Sequence, residues 1–175
     1  HARWQATKKT LEKYERDPVL SKIENRRDRT HTMLGAAMVE DLDTAIGMLL
    51  QKLDDLGLTQ NTYVVFTTDN GYRNWNQSFE PLRGAKWWLW ECGIRVPLIV
   101  FWPGVAKAGL VETSPAITVD LYPTLLEMTG VKPLQSLVDG ISLAPLLKSG
   151  AKPDRDAIYW HYPHYHPGGA TPYSD

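Results

Sequence analysis

A single cysteine, Cys92, stands among 175 residues, so the chain can form no internal disulfide and has no cysteine cluster to hold zinc. That one thiol leaves the redox compartment undecided. Neither charge is in excess: 19 Lys and Arg face 20 Asp and Glu, a formal net charge of -1. No broad electrostatic footprint for nucleic acid or an anionic membrane follows from such a balance, so any polyanion must be bound locally. No apolar run is long enough to span a bilayer, and no signal-peptide pattern opens the chain. Because the first residue is His1 and not Met, a targeting segment further upstream is compatible with what is present. Internal repeats and low-complexity tracts are missing as well.

What remains is enough for one ordinary globular core without disulfides or metals to hold it. Aromatic residues are plentiful, with 7 Trp and 8 Tyr. They gather in two stretches, Trp87, Trp88 and Trp90, then Tyr159, Trp160, Tyr162 and Tyr165. A buried core accounts for aromatics but not for the histidines beside the second group, whereas a ligand-facing wall accounts for both.

Residues 4–16 are polar with scattered apolar positions, which predicts a short surface helix that stops before Pro18. Arg26, Arg27 and Arg29 read as a solvated connection into the next helix. From about Thr32 to Leu56, apolar residues recur at Met38, Leu42, Ala45, Ile46, Leu49, Leu53 and Leu56, the spacing of one buried helical stripe, with Gly57 as the stop. The β-branched and aromatic run 62–67 then predicts a buried parallel strand, and the apolar run 97–102 a second strand ended by Pro103 and Gly104. Helix followed by strand argues for an α/β class. Residues 120–129 predict a further helix with Pro123 in its first turn and Gly130 as its stop. The proline-rich remainder from Pro133 reads as loop, with a short strand at 157–160.

The run 62–67 leads directly into Thr68-Asp69-Asn70-Gly71, putting a carboxylate and a carboxamide past a strand's C-terminal edge, where open α/β sheets keep their sites. Those side chains are hard oxygen ligands suited to Ca²⁺ or Mg²⁺, and they are equally the residues of an ordinary Asx turn. Further on come Pro81-Leu82-Arg83-Gly84-Ala85-Lys86 and Trp90-Glu91-Cys92-Gly93-Ile94-Arg95-Val96-Pro97. Taken alone, Lys86 reads as a solvated surface lysine.

In that order the three motifs resemble the type I, formylglycine-dependent sulfatase family of the alkaline-phosphatase-like superfamily. The helix up to Gly57, the segment 114–130 and Asp139-Gly140-Ile141-Ser142-Leu143 are similar to the same family, so the likeness covers most of the chain. It implies the C-terminal half of a sulfatase catalytic domain: an α/β fold, part of a mixed, mainly parallel sheet flanked by helices and truncated at both ends. Residues 1–150 would belong to that catalytic domain, and 151–175 would begin the C-terminal subdomain.

By the same resemblance Asp69 and Asn70 are half of a Ca²⁺ (or Mg²⁺) site, and Lys86 contacts the sulfate ester, with Arg83 nearby on the substrate side. An ammonium there can offset charge on sulfuryl oxygens. His1, before a predicted helix, is similar in position to an active-site histidine, although it departs from the family's usual His-x-Pro. The segment 159–169, with His161, His164 and His166, resembles a variant seen in sulfatases of sulfated glycans. Imidazoles can bind hydroxyls and anionic sulfates while aromatic faces pack on pyranose rings; a loop packed by its own aromatics and a histidine metal site are the other readings.

The family's nucleophile, a formylglycine made from the Cys or Ser of Cys/Ser-x-Pro-Ser-Arg, has no counterpart in this sequence, and neither does its first aspartate pair. Cys92 stands where the family usually has glycine and reads as a small packed residue. Formylglycine is therefore expected upstream, the missing N-terminal half is a partner, and the fragment alone is expected to be inactive. The implied substrate is a sulfated small molecule or carbohydrate. The location is extracytoplasmic (periplasmic, secreted or lysosomal) by resemblance, and neither nucleic acid nor a membrane is expected as a partner. Two alternatives stand beside this one: a phosphate or phosphonate ester hydrolase of the same superfamily, and a non-catalytic sugar- or anion-binding relative.

Expressed alone, the chain should expose a sheet edge and an apolar face and be poorly soluble. A monodisperse, cooperatively melting product in size-exclusion and thermal-melt experiments would overturn that expectation.

Overall fold

The computed structural model describes residues 4–72, 81–132 and 138–163. It forms two compact units, His1–Asn61 and Thr62–Asp175.

The first unit is helical. Helix α1, Lys8–Glu15, starts where the Thr7 side chain accepts the Thr10 N–H, and it ends before Pro18 as the sequence predicts. Helix α2, Arg26–Asp55, begins earlier than its apolar periodicity shows. The Asn25 side chain caps it by accepting the N–H groups of Arg27 at 2.9 Å and Asp28 at 3.2 Å. Asp28 also sits at the positive end of the helix dipole. Arg26, Arg27 and Arg29 therefore form the first turn of a helix and not a connection, although they stay exposed. At the other end Gly57 has φ +66°. Its N–H donates to Asp54 O at 2.8 Å and that of Leu58 to Leu53 O at 2.9 Å, the paired closure that a left-handed residue permits.

The two helices meet through polar groups. Asp41 accepts the Thr7 N–H at 2.6 Å and the Thr10 hydroxyl at 2.9 Å, while Lys13 pairs with Glu40 at 2.6 Å. The Thr7 N–H, with the two threonine hydroxyls, holds the Asp41 carboxyl below the usual carboxylate range against the opposing effect of burial. The predicted apolar stripe of α2 is not one buried face in this unit. Ala37 is buried and Met38, Ile46 and Leu53 are half-buried, but Leu42, Ala45, Leu49 and Leu56 are exposed. The reason is length: α1 has 8 residues against 30 in α2, and only short turns accompany it.

The second unit is built on two strands, β1, Val64–Thr67, and β2, Leu98–Phe101. They pair antiparallel, Val64 opposite Phe101 and Thr67 opposite Leu98. Of the run 62–67 only Val64–Thr67 form a strand, half-buried, and its partner here is antiparallel, where the apolar composition predicted a buried strand with a parallel neighbour. Antiparallel pairing has a consequence for the site: the connection 68–97 leaves and re-enters the pair at the same end.

Beyond β2, a 3₁₀ turn at Thr118–Asp120 runs into α4, Leu121–Thr129, after the single-turn α3, Glu91–Ile94, within the connection. Pro123 lies in the first turn of α4 and Gly130 ends it at φ +71°, both as the sequence predicts. Helix α5, Ala144–Ser149, was not legible: Pro145 reads as a breaker in sequence, yet in a helix's first turn its missing N–H has no partner to lose. Residues 157–160 form no strand.

Trp102, Met128 and Ala144 make the small core, with Val100, Ala106 and Leu147 against them. Asp120, fully buried, ties this unit together. Its carboxylate accepts the N–H groups of Ile117 and Ile141, each at 2.9 Å, and Arg155 Nη2 at 2.6 Å. Thr124 extends the network, donating its hydroxyl to Asp120 O at 2.6 Å and accepting the Leu143 N–H at 2.8 Å. A Cβ on Gly140 would collide with the Val119 carbonyl oxygen, so the loop before α5 lies directly on the 3₁₀ turn.

Burial by itself would raise the Asp120 carboxyl, but the Arg155 guanidinium and the two backbone N–H groups outweigh it and hold the group below the usual carboxylate range. Its contribution to stability is therefore complete above about pH 4, the unfolded value, and is lost as pH falls through the lower folded value. Asp120→Asn leaves Arg155, only 12% exposed, without a counter-charge. The expected cost is about 3 kcal/mol by denaturant melts at pH 7, together with loss of this acid-limb titration. A variant as stable as the parent would show the node to be dispensable.

Candidate functional site

The end of β1 delivers Thr68, Asp69, Asn70 and Gly71 to the end of the strand pair where the connection also returns. Asp69 is exposed and Asn70 half-buried. The Asp69 carboxylate accepts from the Asn70 carboxamide and from the Thr68 hydroxyl at 3.3 Å, while that hydroxyl also donates to Asn70 O at 3.2 Å. The bend at Asp69 and Asn70 is thus held by side-chain hydrogen bonds among its own residues and not by an Asx turn, since the Gly71 N–H is turned to Gly93 O; the exposed Asp69 carboxylate remains a hard oxygen donor.

Two distant segments are laced to each other immediately beyond. Gly71 N–H donates to Gly93 O at 2.9 Å and Tyr72 N–H to Cys92 O at 3.1 Å. In return, Lys86 N–H donates to Tyr72 O at 2.6 Å. Within the returning segment, Cys92 N–H donates to Arg83 O at 2.9 Å, and Trp88 N–H to Ala85 O at 3.0 Å. The approach is so close that a Cβ on Gly71 would collide with Cys92 O, and one on Gly93 with Trp88 O and Ala85 O. These two glycines are required for space.

The lacing ties the backbone of Lys86 directly to Tyr72, two residues after Asn70, and that of Arg83 to Cys92, which is itself bonded to Tyr72. Lys86 is half-buried at the tip of a turn, with its Nζ 5.7 Å from the centroid of the Trp87 ring. The Arg83 guanidinium carbon lies over the Trp90 ring, 4.1 Å from its centroid, so the exposed arginine is held by an indole. Arg95 instead pairs with Glu91 at 3.1 Å along α3. Burial pushes the Tyr72 phenol above its ordinary value, with the Cys92 thiol adding to the shift. Cys92 itself is buried, in agreement with its reading as a small packed residue.

His161 is exposed beside Tyr159, which is 86% exposed, and among the described residues no hydrogen bond or ion pair joins it to the Asp69 and Lys86 group. His1, His164 and His166 lie outside the described residues. Among the described residues no group of three or more His, Cys, Asp or Glu gathers in one place. Asp69 and Asn70 thus offer two of the roughly six to eight oxygens that Ca²⁺ takes, a donor type that fits and a number that does not complete a shell. Sequence reasoning missed Tyr72, whose carbonyl anchors Lys86, and the turn that carries Trp87. The first leaves no side-chain signal, and the second needs a backbone angle to be seen.

A family model described as Sulfatase matches residues 1–131. A protein named Sulfatase from Formosa agariphila is 37% identical over 159 residues, spanning 82% of this chain and 29% of its own length. The crystal structure of Ps i-CgsB superimposes with a TM-score of 0.72 at 28% identity, covering 87% of this chain and 32% of that one. A structure of BT4656, solved with its substrate D-glucosamine-2-N,6-O-disulfate, gives 0.61 at 28% identity over 83% of this chain and 31% of that one. The chain therefore spans about a third or less of the proteins it matches. No helix among the described residues is long and apolar enough to cross a membrane. With the ordered motifs laced around one strand end and the family model covering 1–131, the chain belongs to the sulfatase family.

Proposed function

We propose that this chain contributes one part of the active site of a sulfatase that hydrolyses sulfate esters on a sugar or glycan. The observation that supports the reading is the backbone lacing of Gly71 and Tyr72 to Gly93, Cys92 and Lys86, which ties the segment carrying Lys86 to the turn that carries Asp69 and Asn70. Sugar as the substrate class is supported by BT4656, whose structure contains a disulfated glucosamine, and by the aromatic and histidine stretch at 159–166.

In this reading Asp69 and Asn70 hold a divalent cation, Ca²⁺ or Mg²⁺, with further ligands from elsewhere in the intact protein. When bound, that ion supplies charge compensation at the sulfuryl oxygens. Lys86 binds the sulfate through its ammonium and is fixed by its own backbone at Tyr72 O. Arg83, laid on Trp90, orients the anionic end of the substrate without giving up its charge. His161, with His164 and His166, meets sugar hydroxyls, and His1 serves as the proton carrier for the leaving alcohol. The nucleophile, a formylglycine, belongs to the remainder of the catalytic domain. In this assignment 1–150 is the C-terminal half of that domain and 151–175 begins the next subdomain.

The remainder of the domain is also the partner that the exposed apolar positions fit: Leu42, Leu49 and Leu56 on α2 and Ile99 and Phe101 on β2. The chain alone is then inactive, and the intact enzyme works outside the cytoplasm.

Sulfate release by the intact enzyme from an O-sulfated glucosamine, measured beside phosphate release from the corresponding phosphate ester, tests the reaction class. Sulfate release is expected to dominate, and a preference for phosphate would overturn the assignment. Lys86→Ala should lower kcat by about 10²- to 10³-fold, the size of losing one preorganised donor. Asp69→Ala should abolish the rise in melting temperature that millimolar Ca²⁺ gives the parent enzyme; an undiminished rise would place the ion elsewhere.

A further inference from the structure

Residues 85–88 form a tight turn closed by the Trp88 N–H on Ala85 O at 3.0 Å, with Lys86 and Trp87 as its two central residues. Trp87 has φ +78°, while Lys86 is not in the left-handed region. That pattern is a type II turn, whose third position is normally glycine because a side chain there is strained. Trp87 is the one non-glycine with positive φ among the described residues. For a bulky side chain such a conformation is a real outlier, held only where the surroundings impose it. Glycine would close the same turn without strain, so what the indole adds must lie in what its ring touches.

The ring touches the Lys86 ammonium, 5.7 Å from its centroid and within cation–π reach. Among the described residues no carboxylate forms an ion pair with Lys86, although the returning segment uses one for Arg95, paired with Glu91. Arg83, like Lys86, rests on an indole, that of Trp90 at 4.1 Å. The difference is chemical. A carboxylate fixes a cation by neutralising it and would repel an approaching sulfate. The negative face of an aromatic ring fixes the cation and leaves its net charge available.

From this we infer that Trp87 is a positioning residue for Lys86: its indole, presented by a left-handed backbone in the glycine place of the turn, aims the ammonium without discharging it. The inference rests on the sulfatase reading for its catalytic consequence and on the geometry alone for the contact.

Trp87→Gly relieves the backbone and removes the ring, whereas Trp87→Phe keeps a ring with a weaker face. In the intact enzyme with lysines reductively ¹³C-dimethylated, the Lys86 signal is assigned by its absence in Lys86→Arg. It should lie upfield of exposed lysines, return to their position in Trp87→Gly, and remain partly displaced in Trp87→Phe. On unmethylated protein, kcat/KM for a sulfated sugar should fall roughly three- to tenfold in Trp87→Gly, the factor a cation–π contact accounts for. Trp87→Phe should recover part of the loss, and the melting temperature of Trp87→Gly should be equal to or above that of the parent.

A Lys86 signal unmoved by Trp87→Gly overturns the inference, as does unchanged turnover, or a large drop in melting temperature that marks the indole as a packing residue. An upfield Lys86 signal in an enzyme that releases no sulfate supports the contact and overturns the sulfatase reading instead.

Discussion

The second unit depends on one buried carboxylate. Asp120 has no solvent to stabilise its charge, and the cost of burying it is offset only because Arg155 and the Ile117 and Ile141 N–H groups all converge on it. In doing so it fixes three pieces of chain that are far apart in sequence. The 3₁₀ turn sets the start of α4, the loop at Ile141 sets the start of α5, and Arg155 ties down the segment beyond. Helices α4 and α5 then supply Met128 and Ala144 to pack on Trp102, the residue that follows β2. The anchoring of β2, and through its register that of β1, is traceable to this node.

From β1 onward the constraint is backbone geometry. Antiparallel pairing returns the connection to the end from which it left, so Asp69 and the segment 83–95 share that end for topological reasons. Lacing between 71–72 and 86–93 then converts proximity into a fixed arrangement. It uses carbonyl and amide groups, so side chains remain available for chemistry. The space it needs comes from Gly71 and Gly93, where even a methyl group would meet a carbonyl oxygen. Such a site can vary its side chains while its frame stays constant, which suits a family whose members act on different sulfate esters.

The first unit follows a different logic. A helix of 30 residues, α2, is joined to α1 chiefly by Asp41 and Glu40 taking N–H, hydroxyl and ammonium partners. Exposed leucines along the rest of α2 mean that its amphipathic pattern records a burial this unit does not itself provide. The same holds for Ile99 and Phe101 on β2.

The sequence by itself determined the elements whose signals are local. Helices α1, α2 and α4 were readable from caps, apolar spacing and the glycines at 57 and 130, and β1 and β2 from short β-branched runs; the order of the three motifs was enough to place the chain in its family. Starts and partners were less legible. The beginning of α2 hides in a polar first turn, α5 hides behind Pro145, and a strand's apolar run does not say whether its neighbour is parallel. Asp69, Asn70, Arg83 and Lys86 could be singled out in sequence, but the lacing of the segments that carry them could not, because it depends on backbone groups that every residue carries. Only the tertiary structure decided that Tyr72 O holds Lys86, that Arg83 lies on Trp90, and that Trp87 takes a glycine's conformation. Each of these is a property of distance or dihedral angle, and neither is encoded in residue type alone.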